Sequence, residues 1–279
     1  MIAGLFRLHL VAVAGLAAAV FGFLFAGQLL IPAAAIAALD WGLAGLWNRN
    51  SDLREDSLNQ VEGTQLLARS GREFSRLALG VLSLSIFAAL RLGWPLLVMR
   101  LAFHAGAFVY SYPVFRRRVK EILLLKNVAA GLLWVLSSIG YPLALSRRAP
   151  PAGEVLALSL FLLPLALAFT LVYDLRDVEG DRGAGIATVP IALGVPRTRV
   201  FLELLLALSA LALLGGYLSG PIRFVELLLL AAPLQLALVM RLWISPEVGR
   251  HAVEAMTWLS AGQLLSYVAW ASAGFPLPH

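Results

Sequence analysis

Apolar residues run along this chain in long, nearly unbroken stretches. They show neither the strict alternation of a half-buried strand nor the every-third-or-fourth spacing of a soluble helix. A helix that spans a bilayer needs about 20 mostly apolar residues. By that rule the pattern predicts nine spans, at residues 8–28, 31–48, 76–92, 95–111, 127–146, 154–173, 199–218, 222–243 and 252–273. Helix breakers fall near the joints, among them Pro32, Pro95, Pro150, Pro151, Gly220, Pro221 and Pro246. Spans two and four are short. The expected fold class is all-α, a polytopic membrane protein forming one domain over residues 1–279. The first run, behind Arg7, has the look of a signal peptide, but the many spans after it favour a retained helix.

Composition agrees. The chain is 60 % hydrophobic and 14 % charged, against about 25 % charged in soluble domains. There are no cysteines, which excludes disulfides and thiolate metal sites. A formal charge of +6 would suit a nucleic-acid binder, yet its distribution has another cause. The N-terminal stub and the loops after spans two, four, six and eight hold 17 of the 22 Lys and Arg, span-end Arg76, Arg199 and Arg241 included. The opposite loops hold Arg91, Arg147, Arg148 and Arg223, and Arg100 lies inside a span. This positive-inside bias places the N-terminus in the cytoplasm, in a cell inner membrane. Lipids are therefore expected partners and nucleic acid is not.

Two windows break the apolar pattern: Asn48-Arg49-Asn50-Ser51-Asp52-Leu53-Arg54-Glu55-Asp56 and Asp174-Leu175-Arg176-Asp177-Val178-Glu179-Gly180-Asp181-Arg182. They hold seven of the 16 acids. Each follows a span, and the charge bias puts both on the cytoplasmic side. Asn48, Asp52 and Asp56 at i, i+4 and i+8 share a helical stripe, as do Asp174, Asp177 and Asp181 at i, i+3 and i+7. Facing each other, such stripes suit Mg²⁺, which takes one or two carboxylates, waters and substrate phosphates. The alternative is a set of solvated acids at helix ends. The loop after span two is expected to continue that helix and then form a small cytoplasmic helix.

The segment from Tyr173 through Asp174-Leu-Arg-Asp-Val-Glu-Gly-Asp181 to Gly194 closely resembles the second aspartate motif of the UbiA superfamily of intramembrane prenyltransferases. The first window, followed by Asn59, resembles the first motif of that family. Tyr110-Ser111-Tyr112-Pro113, the basic run and Lys126-Asn127 resemble the loop after its fourth helix. The chain departs in two places. Arg49 stands where the family usually has Asp. After Asn59, Gln60-Val61-Glu62-Gly63 replaces a Pro- and Arg-bearing segment, so the basic contact is left to Arg69, Arg72 or an arginine of another loop.

The resemblance implies a helix-lined cavity that takes an isoprenyl diphosphate. It implies two Mg²⁺ ions held by Asp52, Asp56, Asp177 and Asp181, and transfer of the prenyl group to a lipophilic acceptor, an aromatic or quinone precursor. Substrate contacts are expected from Asn48, Arg116, Lys126, Tyr110, Tyr112, Asp174, Arg182 and Asp40. Each has a plainer reading. Arg116 and Lys126 lie in a loop that topology alone makes basic, and tyrosines are common at membrane interfaces. Asp40 either serves the acceptor or pairs with Arg100, and His104 suits a packing role. Two rival functions remain. A membrane terpene cyclase would make a cyclised product without acceptor. An ion-coupled transporter would carry its acids near the midplane at broken helices.

Overall fold

The computed structural model describes residues 7–59, 61–113, 118–242 and 250–274, and every regular element among them is helical. In chain order these are α1 (Leu8–Ala26), α2 (Ile31–Ser51), α3 (Leu53–Leu58), α4 (Thr64–Leu92) and α5 (Trp94–Ser111). A 3₁₀ turn (Val119–Glu121) precedes α6 (Leu125–Val135), which runs through a π-type turn (Leu136–Gly140) into α7 (Tyr141–Leu145). Then come α8 (Ala152–Arg176), α9 (Val178–Ala184), α10 (Val189–Leu193) and α11 (Val195–Leu218). A 3₁₀ stretch (Phe224–Leu230), α12 (Ala231–Leu242) and α13 (Arg250–Ser272) complete the order.

Six helical segments among the described residues are long and apolar enough to cross a membrane: Leu8–Ala26, Thr64–Leu92, Leu125–Leu145, Ala152–Arg176, Val195–Leu218 and Phe224–Leu242. The nine-span count is finer than this measure supports. The other predicted spans appear as α2, α5 and α13, whose mean hydropathy is lowered by Asp40 and Arg49 in α2, Arg100 and His104 in α5, and Arg250, His251, Glu254 and Gln263 in α13. Residues 49–75 also differ from expectation. Helix α2 stops at Ser51, the small helix is Leu53–Leu58, and residues 64–75 are the first turns of α4 itself, kinked at Ser70 (φ −124°, ψ 18°). Between α4 and α5 the chain turns on Gly93 at φ 138°, a region closed to residues with a β-carbon.

Lipid offers helices no hydrophobic gain on pairing, so close approach and interhelical hydrogen bonds must hold the bundle. Helix α1 meets α2 through small residues, Ala18 against Ala33 and Ala37, all 0 % exposed. Helix α8 is the central post. It packs on α11 and α6, and its Ala168, Leu171 and Val172 join Leu202 and Leu206 in one cluster. Helix α13 returns to α1 and closes the ring. Cross-links include Trp41 Nε1 to Ser137 Oγ (2.9 Å) and Ser209 Oγ to the Phe161 carbonyl (2.8 Å).

One polar cluster is sealed within this packing. Arg100 donates from Nε (2.9 Å) and a terminal nitrogen (2.5 Å) to the two oxygens of Asp40, and Tyr141 Oη donates to Oδ2 (2.8 Å). His104 Nε2 stands 3.0 Å from Oδ1. Arg100 also reaches the Ser85 carbonyl (2.8 Å) and hydroxyl (3.0 Å). Asp40, Arg100 and Tyr141 are 0 % exposed, so the cluster ties α2, α4, α5 and α7 together. A buried charge that loses its partner costs about 3–5 kcal/mol, whereas an apolar replacement of both is often neutral. Asp40→Asn should therefore lower the unfolding temperature in detergent markedly, and Asp40→Asn with Arg100→Leu should recover most of the loss. Equal stability of the single mutant and the wild type would show that the pair does not hold the helices.

Candidate active site

Both acidic motifs break their helix at the same step. Asp52 (φ −109°, ψ 16°) separates α2 from α3, and Asp177 (φ −96°, ψ 10°) separates α8 from α9. The expected single stripes are therefore each bent at the central aspartate, in the bridge region of the backbone. Each break is closed by the same bond: Asp56 N–H to the Asp52 carbonyl (2.8 Å) and Asp181 N–H to the Asp177 carbonyl (2.9 Å). The bend turns the short helices α3 and α9 across the end of the bundle and against each other. Gly180 makes that contact possible. A β-carbon there would stand 1.9 Å from Asn59 Oδ1.

The two motifs line one cavity of about 190 Å³. Its mouth carries Asp52, Glu55, Asp56, Asp174, Asp177 and Asp181, with Asn48, Asn59 and Tyr110. Cations answer every one of those carboxylates. Lys120 and Arg118, delivered by the 3₁₀ turn, bind Asp52 and Glu55. Lys126 in the first turn of α6 lies 2.8 Å from Asp174 and 3.5 Å from Asp181. Arg176 pairs with Asp177 at 2.6 Å. Asp56 receives Arg49 at 3.1 Å on Oδ2 and, more loosely, Arg7 at 3.7 Å on Oδ1. Asn127 donates to Asp174 Oδ2 (2.9 Å) and Ser51 Oγ to Asp52 Oδ1 (2.8 Å).

Farther in, the wall becomes apolar and aromatic. Trp41 and Trp134 stack with centroids 4.1 Å apart, Phe169 meets Trp134 edge-on, and Tyr173 lies beneath the Arg176 guanidinium at 4.8 Å. Burial and neighbouring cations pull the mouth carboxyls in opposite directions. Burial raises the Asp181 carboxyl to about 6, with Lys126 offsetting part of the effect. Burial likewise raises Asp52, against the opposing charge of Lys120. At Glu55 burial pushes upward too, but the bonds from Lys120 and Arg118 prevail and hold it below its usual range.

Of the residues expected from sequence, Asn48, Asp52, Asp56, Tyr110, Lys126, Asp174, Asp177 and Asp181 line the cavity. Three others do not join them. Asp40 is enclosed by Arg100, Tyr141 and His104 instead. Tyr112 follows the end of α5 in extended backbone and stacks back on Phe108. Arg182 is exposed, because one residue past the inward Asp181 a helix has turned about 100°. Arg116 lies outside the described residues. Arg69 and Arg72 also miss the cavity and are exposed. The basic contacts come from Arg7, Arg118, Lys120 and Arg176. Arg176, two residues after Asp174 inside the motif, was visible in the sequence; Arg7, distant in the chain, was not.

The oxygen-rich mouth fits Mg²⁺ in donor type, with a condition. Among the described residues no three His, Asp or Glu side chains converge as a ready metal cage, since each carboxylate already has a cation. Mg²⁺ typically binds through one or two carboxylates and completes its shell with water and phosphate. Asp52 and Asp56 on one side and Asp177 and Asp181 on the other could hold it in that manner, with lysine and arginine displaced.

Residues 8–272 match the UbiA prenyltransferase family. The chain is 28 % identical over 236 residues to digeranylgeranylglyceryl phosphate synthase of Methanothermobacter thermautotrophicus, covering 82 % of this chain and 80 % of that protein. Among solved structures, it is similar to a UbiA homolog from Archaeoglobus fulgidus bound to GPP and Mg²⁺. That match has a TM-score of 0.76 at 19 % identity and covers 97 % of this chain and 99 % of the other. The apo structure of a UbiA homolog from Aeropyrum pernix K1 gives a TM-score of 0.63 at 18 % identity, covering 96 % and 97 %.

Two outcomes follow from this geometry. Gly180→Ala should drive α9 off Asn59 and lower turnover about tenfold or more, as small displacements from reactive geometry do; an unchanged rate would mean the contact is not needed. Divalent binding competes with protons on a carboxyl raised to about 6. Mn²⁺ affinity, read by electron paramagnetic resonance, should therefore fall as pH drops through 6, with proton release on binding. A flat profile from pH 5 to 7.5 would contradict it.

Proposed function

The chain belongs to the UbiA prenyltransferase family, and from that premise we propose the following reading of its site. It is an integral, multi-pass membrane prenyltransferase that moves a prenyl group from an isoprenyl diphosphate to a lipophilic acceptor, releasing diphosphate. One observation carries this: two aspartate motifs with their cations line the mouth of a cavity whose inner wall is aromatic. The bundle crosses the membrane nine times, with the N-terminus and the cavity mouth on the cytoplasmic side.

In this reading Asp52 and Asp56, with Asp177 and Asp181, would hold two Mg²⁺ ions, which would supply Lewis-acid charge to the diphosphate. Lys120, Arg118, Lys126 and Arg176, drawn off their carboxylates, turn to the diphosphate. Their charge stabilises the leaving group as the allylic C–O bond breaks and its electron pair stays with oxygen. Arg7 closes over the same group from α1. Trp41, Trp134, Phe169 and Tyr173 face the cationic prenyl fragment with their ring faces and keep water from quenching it. The acceptor then gives an electron pair to the prenyl carbon and loses a proton.

The acceptor is an aromatic or quinone precursor, held against the tryptophan stack. A second reading has one specific support: a relative 28 % identical is named for a digeranylgeranylglyceryl phosphate product, which points to a hydroxyl of a phosphorylated glyceryl lipid. Incubation with Mg²⁺, a panel of prenyl diphosphates and both acceptor classes, read by mass spectrometry, separates the two. A cyclised hydrocarbon formed without acceptor would replace both with a cyclase.

EDTA should abolish turnover and Mg²⁺ restore it. Asp52→Asn, Asp56→Asn, Asp177→Asn and Asp181→Asn should each lower the rate about 100-fold, the scale of losing one transition-state stabiliser. Near-normal rates in two or more of them would sink the reading. For topology, the absence of native cysteines allows a clean test. Glu179→Cys should resist an impermeant thiol reagent in intact cells, and Ala149→Cys should react; the reverse pattern would invert the orientation.

A further inference from the structure

The arginines that sequence had offered to the cavity lie elsewhere, on α4. Arg69, Arg72 and Arg76 are all exposed, line no part of the cavity, and make no ion pair or hydrogen bond among the described residues. Glu73, between them, pairs with none of them. Their direction is informative. Past the kink at Ser70 the helix runs on to Leu92. Arg72 and Leu79 are seven residues apart and so about 20° apart in azimuth, and Arg76 and Phe87, eleven apart, differ by about 20° as well. Leu79 and Phe87 are 55 % and 71 % exposed, and Leu77 and Leu84 are 65 % and 76 % exposed. Only 11 % of the apolar stretch of α4 is buried. The arginines therefore stand on the face that lipid covers, directly below the point where that face turns apolar at Leu77.

The far end of the helix is framed as a membrane boundary usually is. Trp94, 73 % exposed, follows Arg91 just past the end of α4, the position of an interfacial aromatic belt. From Arg72 to Arg76 is about 6 Å along a helix, comparable to one polar headgroup layer of about 5–7.5 Å. A guanidinium matches phosphate with two parallel N–H bonds, and among the described residues these three have no internal acceptor competing for them.

We propose that Arg69, Arg72 and Arg76 form a docking site for anionic phospholipid headgroups. The lipid phosphate lies on Arg72 and Arg76, and its acyl chains run along Leu79, Leu84 and Phe87. The site is separate from the aspartate cavity. It rests on α4 facing lipid and not on the transfer chemistry.

The test uses the full chain in detergent, without substrate. Protein equilibrated with equal amounts of phosphatidylglycerol and phosphatidylcholine is examined by native mass spectrometry for retained lipid. The wild type should retain phosphatidylglycerol in preference by about fivefold or more, the scale of one arginine near an anionic surface. Arg69→Gln with Arg72→Gln and Arg76→Gln should bring the ratio near one. Arg72→Gln and Arg76→Gln alone should each lower it, should the triple variant fold poorly. Arg147→Gln with Arg148→Gln should leave it unchanged. Turnover of the triple variant in detergent should stay within about twofold of wild type, which separates this site from the catalytic one. A wild-type ratio of one would overturn the proposal. So would a preference kept by the triple variant, or phosphatidylglycerol displaced by inorganic phosphate alone, which marks a soluble-anion site.

Discussion

Charge compensation at the end of the bundle is the condition on which this site rests. Six carboxylates, Asp52, Glu55, Asp56, Asp174, Asp177 and Asp181, face one cavity and meet six cations, Arg7, Arg49, Arg118, Lys120, Lys126 and Arg176. Without them, two acids 4 Å apart would repel by about 4 kcal/mol at the dielectric of a protein boundary. Helices α3 and α9 could not then lie against each other, and Asn59 could not reach the backbone of Gly180. The cations come from α1, α2, the turn before α6, α6 itself and α8, so neutralising the mouth also fixes the ends of five segments. Fold and site are here one constraint.

The six cations are not equivalent. Lys120, Arg118, Lys126, Arg176 and Arg7 stand at the cavity rim with side chains 5–23 % exposed, and each could exchange a carboxylate for a phosphate. Arg49 cannot. It is 0 % exposed and is tied to the Glu62 carbonyl at 2.6 Å and the Thr64 hydroxyl as well as to Asp56. One oxygen of Asp56 is thus permanently engaged, and the other faces Arg7. The same arginine pins the loop between α3 and α4, the stretch where the sequence departs from its family.

Much of this was legible in the sequence, for physical reasons. Long apolar runs declare helices regardless of partners, and the two acidic windows stood out because charge is rare in such a chain. What was not legible depended on events at single residues. The break at Asp52 and at Asp177 follows no breaker residue, so periodicity carried each stripe straight on, and Arg182 was assigned to a cavity that its own turn of helix faces away from. Arg7 reaches the mouth only because α1 closes the ring beside α2 and α13, a tertiary fact. Arg69 and Arg72 were near the motif in sequence yet lie on exposed positions of α4, away from the cavity.

The Asp40 cluster and the cavity cluster differ in a way that shows how an intramembrane charge is to be read. Around Asp40 every donor is local and every oxygen is taken: Arg100, Tyr141 and His104 enclose it, and Asp40, Arg100 and Tyr141 are fully buried. Nothing there can be exchanged without losing a buried partner, so the cluster can only hold helices. At the cavity the same chemistry is left incomplete by placement. The carboxylates are paired, but mostly by long side chains at an opening, and those partners can be given up to a ligand that brings its own charge. Rarity of charge in a span marks both clusters equally. Access, and partners able to leave, separate the cavity cluster from the structural one.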